Sequence, residues 1–411
     1  MNNRYLVLGV CTTFLLAGCS WFSWLPWVDE KPDEESKLEP AELVDFDSEL
    51  KVRKIWSEKI GAGLGKKYLK LIPAIVADRV FAADGYGEVK AVDRFSGKLI
   101  WETSIGDPDV AKFSGVKFWD LRDPSFVTGG VGAGDGRILL GTSRGEVVAL
   151  AATDGAELWR TSLGSEVLSE PIFGDEQYYV MTSDGNLVAL DAETGELNWK
   201  FSNSTPVLTL RGSATPVYSA GVVYAGFANG KLSAVRTRNG EPIWEQRVML
   251  PQGRSELERM VDVDGQPLLS GGLIYAASFQ GRVKAMRLED GAVLWEKETS
   301  CYLDLAEGYG QVYVVDATGV ITAIDQETAE VVWKQEALWR RDLSSPVAYN
   351  NYVVVGDADG YLHVLAQSDG RFVGRKKIDG DGLRSSMVAS DNVLYLLSNG
   401  GSLQALEMDR N

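Results

Sequence analysis

The chain has 411 residues, of which 45% are hydrophobic and 24% are charged, and this composition excludes a chain that is mostly disordered. Its 41 Lys and Arg residues against 58 Asp and Glu residues give a formal net charge of −17, which disfavours binding to nucleic-acid phosphates or anionic lipid surfaces. A single histidine, His363, and three scattered cysteines argue against His-clustered metal sites, thiolate zinc sites, disulfide scaffolds and most Ser-His or Cys-His catalytic arrangements.

The first residues have the pattern of a bacterial lipoprotein signal peptide. Arg4 precedes an apolar run over residues 5–16, which is shorter than the ~20 residues of a membrane span. The following Leu16-Ala17-Gly18-Cys19 resembles a lipobox, so we expect residues 1–18 to be cleaved and Cys19 to be lipidated. In such lipoproteins a residue like Ser20, in place of aspartate, implies sorting to the outer membrane. The alternative is an ordinary secretory signal with an accidental cysteine.

Residues 19–49 are predicted to be a flexible acidic tether that follows the lipidated cysteine. Two or more acyl chains on that cysteine would anchor the protein stably, so the globular part needs no membrane-facing surface. A Pro-rich acidic stretch occupies residues 29–35. Three tryptophans precede it, Trp21, Trp24 and Trp27, and they lie either at the membrane interface or exposed in the linker.

Residues 50–411 contain eight copies of one sequence unit. Each unit is anchored by a glycine: Gly87, Gly145, Gly185, Gly230, Gly281, Gly319, Gly360 and Gly401. The residue four positions later is Ala91, Ala149, Ala189, Ala234, Ala285, Ala323, Val364 or Ala405. Ten positions after the anchor come Gly97, Gly155, Gly195, Gly240, Gly291, Ala329 and Gly370, and fourteen positions after it come Trp101, Trp159, Trp199, Trp244, Trp295, Trp333 and Gly374.

The anchor glycines are 38 to 58 residues apart, a spacing typical of propeller blades rather than helical repeats. Within one unit, residues 177–181, 187–191 and 196–200 have strand-like patterns, and glycine turns separate them. A fourth strand precedes these three and often carries proline, which places it at a sheet edge, beside the central channel. The sequence therefore predicts an all-β fold, an eight-bladed β-propeller of four-stranded antiparallel blades.

The eighth unit is incomplete, because only ten residues follow Gly401. The missing outer strand is found near the start of the chain, where residues 55–61 match residues 100–106, tryptophan included. We therefore expect an N-terminal strand to complete the last blade and to protect the seam of the ring from edge-to-edge association.

The repeated alanine and tryptophan are predicted to hold neighbouring blades together. The hypothesis is that each alanine lets the next sheet, with its tryptophan, approach to the ~10 Å spacing of packed sheets. Burial of one tryptophan removes ~150–250 Å² from water, or about 4–6 kcal/mol before entropy is subtracted. We expect these tryptophans to be structural rather than functional.

Two insertions depart from the repeat and are candidate recognition loops. One lies at about residues 106–130 and the other at 249–266. Both are expected on the face that carries the blade-to-blade connections. Longer loops are the usual place for recognition, and neutral drift of surface loops is the alternative.

The unit from Asp184 to Trp199, Asp-Gly-x-x-x-Ala-Leu-Asp-x-x-Thr-Gly-x-x-x-Trp, resembles the tryptophan-docking repeat of quinoprotein-type propellers. With the lipobox and the eight units, the chain resembles the BamB family, propeller lipoproteins of the outer-membrane β-barrel assembly machinery. Two local motifs add to the resemblance, Leu208-Thr209-Leu210-Arg211-Gly212 and residues 258–264. The resemblance implies binding to the periplasmic POTRA domains of BamA, on the periplasmic face of the outer membrane. It implies that the contact residues are Leu208, Leu210, Arg211, Asp262 and Asp264.

Both motifs lie in successive blade-to-blade connections, so we expect them to be neighbours on one rim. Alternatively, Arg211 simply pairs with Asp262 or Asp264. A quinone-dependent dehydrogenase is a competing function on the same fold. However, the mature chain has no adjacent cysteines and no assignable calcium ligands, so we expect no enzyme activity and no cofactor. A peptide-binding platform that acts without BamA is a further alternative. For the scaffold itself, which would assist the insertion of β-barrel proteins, nascent outer-membrane proteins are a further candidate partner.

Overall fold

The structure is a computed structural model that describes residues 39–64, 68–106, 127–210, 212 and 214–410. The regular structure of this part of the chain is β-strand, arranged in eight four-stranded antiparallel sheets. The predicted eight-bladed β-propeller is confirmed. The described residues include no helix long and apolar enough to cross a bilayer. The predicted signal peptide, Cys19 and most of the 106–130 insertion lie outside the described residues.

The first four blades are consecutive in the chain, and each is built in sequence order from the inner strand to the outer strand. Their strands are β2 (Ala74–Val76), β3 (Arg79–Ala83), β4 (Glu88–Asp93) and β5 (Leu99–Ser104) in blade 1; β6 (Val127–Gly134), β7 (Arg137–Thr142), β8 (Glu146–Ala151) and β9 (Glu157–Ser162) in blade 2; β10 (Ile172–Gly174), β11 (Gln177–Thr182), β12 (Asn186–Asp191) and β13 (Leu197–Ser202) in blade 3; and β14 (Val217–Ser219), β15 (Val222–Gly226), β16 (Lys231–Arg236) and β17 (Pro242–Arg247) in blade 4.

The other four blades follow the same order until the last one. Their strands are β18 (Leu268–Ser270), β19 (Leu273–Ala277), β20 (Gly281–Arg287) and β21 (Val293–Thr299) in blade 5; β22 (Ala306–Gly308), β23 (Gln311–Val315), β24 (Ile321–Asp325) and β25 (Val331–Gln335) in blade 6; β26 (Val347–Tyr349), β27 (Tyr352–Gly356), β28 (Tyr361–Ala366) and β29 (Phe372–Lys377) in blade 7; and β30 (Val388–Ser390), β31 (Val393–Leu397), β32 (Ser402–Arg410) and β1 (Leu50–Lys59) in blade 8.

Blade 8 confirms the predicted ring closure. Its outer strand is β1, which pairs antiparallel with β32 from Leu50 opposite Arg410 to Lys59 opposite Ser402. The chain therefore closes the ring by joining its N-terminal and C-terminal strands in one sheet, and β32 has a partner along its length.

The strands differ in burial according to their position in a blade. The two middle strands are covered by sheets on both faces, so β3 and β27 are buried along almost their whole length. The outer strands alternate, with exposed residues on either side of the tryptophan. Prolines precede the inner strands rather than lying within them: Pro171 before β10, Pro216 before β14 and Pro346 before β26.

The contact between blades differs from the predicted one. Each repeated alanine is the cross-strand partner of the tryptophan in its own blade, as in the pair of Ala189 and Trp199. The indole instead packs on the second glycine of the next blade: a Cβ atom placed on Gly240 would lie 2.7 Å from Cε3 of Trp199. The glycine, rather than the alanine, therefore provides the close approach. The reason is that the tryptophan extends from its own blade to the turn between the third and fourth strands of the next blade.

Each of seven tryptophans also donates a hydrogen bond from Nε1 to a backbone carbonyl of that turn. The pairs are Trp56 with Arg94 (2.9 Å), Trp101 with Ala152 (3.0 Å), Trp159 with Ala192 (3.1 Å), Trp199 with Thr237 (2.6 Å), Trp244 with Leu288 (3.1 Å), Trp295 with Gln326 (2.9 Å) and Trp333 with Gln367 (2.8 Å). Blade 7 has Gly374 in place of the tryptophan. Blade 8, which follows it, has no turn between its third and fourth strands, because its fourth strand is β1 from the N-terminal part of the chain.

The last part of the predicted tether, residues 41–49, lies along blade 7. The backbone N–H of Ala41 donates to Trp339 O (2.9 Å), and the Phe46 ring stacks on Phe372 with 5.5 Å between centroids. Arg375 donates to Val44 O at 2.9 Å. The chain is thus fixed to the propeller from Ala41 onward, ahead of the boundary at residue 49 that the sequence predicts.

Candidate functional site

The structure brings the two predicted motifs together. Leu208 and Leu210 lie between β13 and β14, and Asp262 lies between β17 and β18. The backbone N–H of Leu210 donates to Oδ1 of Asp262 at 3.0 Å. The two connections therefore form one continuous surface, which we call the rim site, across blades 3, 4 and 5.

Asp262 supports the rim site from within. Its side chain is fully buried, and burial raises the pKa of its carboxyl to about 6 despite the hydrogen bond from Leu210. A side chain without exposed surface cannot touch a docked protein. Asp262 therefore positions the loop that carries Leu208, rather than binding a partner directly.

The other predicted residues point in two directions. Leu208 is 37% exposed, and its neighbour Val207 is 93% exposed, so this part of the loop presents apolar surface outward. Leu210 and Asp264 line a cavity inside the ring. Arg211 lies outside the described residues, so its predicted contact and its alternative pairing with either aspartate stay predictions.

The insertion at residues 249–266 adds apolar residues that the motifs did not indicate. Leu250 and Leu257 are 54% and 64% exposed. The Glu258 carboxylate holds a tight turn by accepting hydrogen bonds from the N–H groups of Arg254 (2.6 Å) and Ser255 (3.1 Å). The sequence could have indicated these two leucines as surface residues, because both lie in a connection, outside the strand patterns that fill the core.

The cavity has a volume of about 370 Å³ and lies where the blades converge. It is lined by residues 68–70, Ile72, Thr128, residues 168–170, Leu210, Gly212, Thr215, Asp264, Phe279, Tyr302, Asp304 and Ser386. Because these residues come from seven different blades or the connections that enter them, the cavity lies on the axis of the ring, and we call it the axial cavity. Glu170, which directly precedes Pro171, was not indicated by the motifs.

Side chains that could carry chemistry elsewhere are engaged in packing. Cys301 is fully buried, and burial raises the pKa of its thiol to about 12. His363 is also buried and lies between Asp357 and Arg375 on blade 7. Within the described ranges, no group of three or more His, Cys, Asp or Glu side chains is placed to hold a metal ion.

Comparisons with known proteins agree on one family. The family model for "Outer membrane protein assembly factor BamB" matches residues 107–335 and 317–410. Curated proteins of that name are similar to this chain. The one from Pseudomonas aeruginosa is 44% identical over 373 residues, which cover 91% of this chain and 93% of that protein. The one from Escherichia coli is 37% identical over 407 residues, 99% of this chain and 100% of that protein.

Solved structures give the same result. The crystal structure of BamB from Moraxella catarrhalis has a TM-score of 0.77 at 27% identity and covers 87% of this chain and 99% of that one. A quinohemoprotein alcohol dehydrogenase from Comamonas testosteroni has a TM-score of 0.67 at 14% identity, covering 86% of this chain and 76% of that one, and shares the fold alone. The similar curated proteins are named as assembly factors, in agreement with the prediction that the chain is not an enzyme. The chain belongs to the BamB family of outer membrane protein assembly factors.

Proposed function

We propose that this protein is a non-catalytic scaffold of the outer-membrane β-barrel assembly machinery, which docks on the periplasmic POTRA domains of BamA through the rim site. The observation that carries the proposal is the hydrogen bond between Leu210 and Asp262. It joins two connections, 52 residues apart in the chain, into one surface.

The chemistry of the rim site supports docking of a protein. Leu208 and Val207 offer exposed apolar surface, and Leu250 and Leu257 extend it on the next connection. Apolar anchors held on a rigid base are the residues that dominate binding energy at protein interfaces, with ~2 kcal/mol or more for each of a few of them. Arg211, which follows Leu210 in the sequence, is proposed as a charged contact of the same interface.

The proposal includes a location. Cys19 carries the lipid that anchors the protein to the periplasmic face of the outer membrane, and the predicted tether follows it. With 58 acidic residues against 41 basic ones, the chain is not attracted to an anionic membrane surface, so the lipid alone provides the attachment.

The test is a binding measurement with soluble BamA POTRA domains, by isothermal titration calorimetry. Leu208→Asp and Arg211→Glu should each weaken binding at least about thirtyfold, which corresponds to ~2 kcal/mol at a central interface residue. Circular dichroism and the melting temperature should stay unchanged, because Leu208 is 37% exposed and both positions lie in the connection between β13 and β14, outside the strands.

Matched controls are available on the same blades. Leu197→Asp alters an exposed leucine of β13, and Arg238→Glu alters an exposed arginine in the turn between β16 and β17, on the face opposite to the blade connections. Both should bind like the wild type. Equal affinity of all four variants would show that BamA binds elsewhere or that the protein is a platform independent of BamA.

A further inference from the structure

The axial cavity is large enough for a small organic molecule. Its volume of about 370 Å³ falls within the ~300–1,000 Å³ of ligand pockets. The cavity walls combine aliphatic side chains, including Leu69, Ile72 and Leu168, with the rings of Phe279 and Tyr302.

The axial cavity has more acidic than basic side chains. Three carboxyl groups line it, from Glu170, Asp264 and Asp304, whereas Lys70 is the one cation among the described lining residues. Asp304 is fully engaged: its oxygens accept hydrogen bonds from Gln266 N (2.9 Å), Ser345 Oγ (2.9 Å) and Ser386 Oγ (2.6 Å). Within the part of the chain that the structure describes, the carboxyls of Glu170 and Asp264 have no hydrogen bond and no ion pair.

The pKa values of both carboxyls lie above the usual range for a carboxyl group. Burial, with a contribution from Asp304, raises the pKa of Glu170 to about 8. Burial and the neighbouring Asp262 raise the pKa of Asp264 to about 7, although Lys70 opposes the shift. A partly buried carboxyl without a partner among the described residues is costly for the fold, so a site that keeps two of them at one cavity is suited to a ligand that brings the opposite charge.

The cavity wall can also stabilise an alkylammonium group. Nζ of Lys70 lies 5.5 Å from the centroid of the Tyr302 ring, within the range of a cation–π interaction. The same wall would receive a second cation with an aliphatic stem. A divalent metal fits less well, because Ca²⁺ needs six to eight oxygen ligands and the described residues offer no cluster of three suitable side chains.

We propose that the axial cavity binds a small organic cation, an ammonium or guanidinium group on a short aliphatic stem, with Glu170 as its ion partner and Asp264 as a further carboxyl of the cavity wall. The stem packs against the aliphatic and aromatic wall, and the charged group meets the Glu170 carboxylate. This inference goes beyond the proposed docking on BamA and does not depend on it.

The first experiment titrates the full lipid-free protein with agmatine and with putrescine by isothermal titration calorimetry, with 1,4-butanediol as a neutral probe of similar length. We expect saturable binding of at least one of the two cations and no binding of the diol. Glu170→Gln should weaken cation binding at least about thirtyfold, because it removes one partner of a buried charge pair. Asp264→Asn should also weaken binding.

Glu193→Gln is the matched control, since it removes the same charge from an exposed turn of blade 3. It should leave the affinity unchanged. Glu170→Gln removes a partly buried acid that has no partner among the described residues, and it is expected to fold at least as well as the wild type, so lost binding cannot be ascribed to unfolding. The proposal is overturned if neither cation binds, or if Glu170→Gln and Glu193→Gln have the same effect.

A second experiment identifies the source of the cation, and this arm rests on the proposed function. If a lysine or arginine of BamA enters the axial cavity, saturating agmatine should weaken binding of the soluble POTRA domains, and this competition should vanish in Glu170→Gln. If the ligand is a free polyamine or a similar metabolite, POTRA binding should be independent of agmatine. Failure of POTRA binding itself would contradict the proposed function but leave the calorimetric result on the cavity intact.

Discussion

Two carboxyl groups in this protein, one buried and one partly buried, are stabilised to very different degrees. Asp357 accepts hydrogen bonds from Nε of Arg341 (2.8 Å) and from Nε2 of His363 (2.9 Å). Burial alone would raise the pKa of Asp357, but the contacts with His363 and Arg341 hold it below its usual value of 3.8. Glu170 has no such contacts among the described residues. Asp357 therefore belongs to the framework of blade 7, whereas Glu170 is available to a ligand.

The role of Asp357 can be tested against its neighbour Asp359, since both accept hydrogen bonds from Arg341. Asp357→Asn should lower the free energy of unfolding by about 3–5 kcal/mol, because it leaves the buried Arg341 without its buried counter-charge. Asp359 is 63% exposed, so Asp359→Asn should cost at most about 1 kcal/mol. Urea unfolding at pH 7 measures both.

The pH dependence of that difference follows from the lowered pKa of Asp357. A carboxyl whose folded-state pKa lies below its unfolded value stabilises the fold above the unfolded value and loses this effect as the pH falls through the folded value. The gap between wild type and Asp357→Asn should therefore be full at neutral pH and shrink below about pH 3.8. If Asp357→Asn and Asp359→Asn lose the same free energy of unfolding at pH 7, Asp357 does not have the proposed structural role in blade 7.

At the level of the blade, the contact that joins neighbours is a tryptophan on a glycine. The sequence repeat was sufficient to predict the strands, the blade count and the structural role of the tryptophans. It was insufficient to predict the surface that each indole meets, because alanine and glycine are both small residues at fixed spacing from the tryptophan. Whether the indole meets the alanine or the glycine depends on which turn lies at the contact between two blades. The placement of neighbouring sheets determines this.

Two glycines with the same backbone conformation isolate the energy of this contact. Gly240 and Gly136 both have φ of 71°, but an added Cβ would meet Trp199 at Gly240 and nothing within 4 Å at Gly136. Gly136→Ala should cost about 1–2 kcal/mol for the left-handed backbone alone. Gly240→Ala should cost the same amount plus about 1–3 kcal/mol for displacing the indole.

Chemical denaturation of both variants measures the difference. A larger loss in Gly240→Ala, with a changed tryptophan emission, supports the docking contact. If the two variants lose the same free energy, the glycine serves only the turn, and the blades are held by other contacts.

At the level of the whole ring, function depends on residues that converge from distant parts of the chain. Connectivity predicts that successive blade connections share a rim, and the contact between Leu210 and Asp262 has that geometry. Sequence alone gave no reason to expect that the charged Asp262 is buried while the apolar Leu208 is exposed. It also gave no sign of Glu170, because a charged residue in a connection normally faces solvent, and only closure of the ring turns this connection toward an axial cavity.

The same closure makes the N-terminal strand essential to the whole molecule. β1 supplies the outer strand of blade 8 by pairing with β32, and its Trp56 docks on blade 1 at Gly97. Removal of Leu50–Lys59 would therefore expose the edge of β32 and open the contact with blade 1 in one step. An exposed strand edge pairs readily with other molecules, so the loss is expected to appear as self-association.

Deletion of residues 20–59 should consequently convert the monomer into oligomers, as measured by size-exclusion chromatography with light scattering. Deletion of residues 20–38, which ends before the contacts of Ala41 with blade 7, should leave the monomer intact. Addition of a synthetic peptide of residues 40–60 should restore the monomer of the shorter protein, and a scrambled peptide should not. A stable monomer that lacks β1 would mean that the other seven seams hold the ring without it, and that the strand joining the two ends of the chain is dispensable for closure.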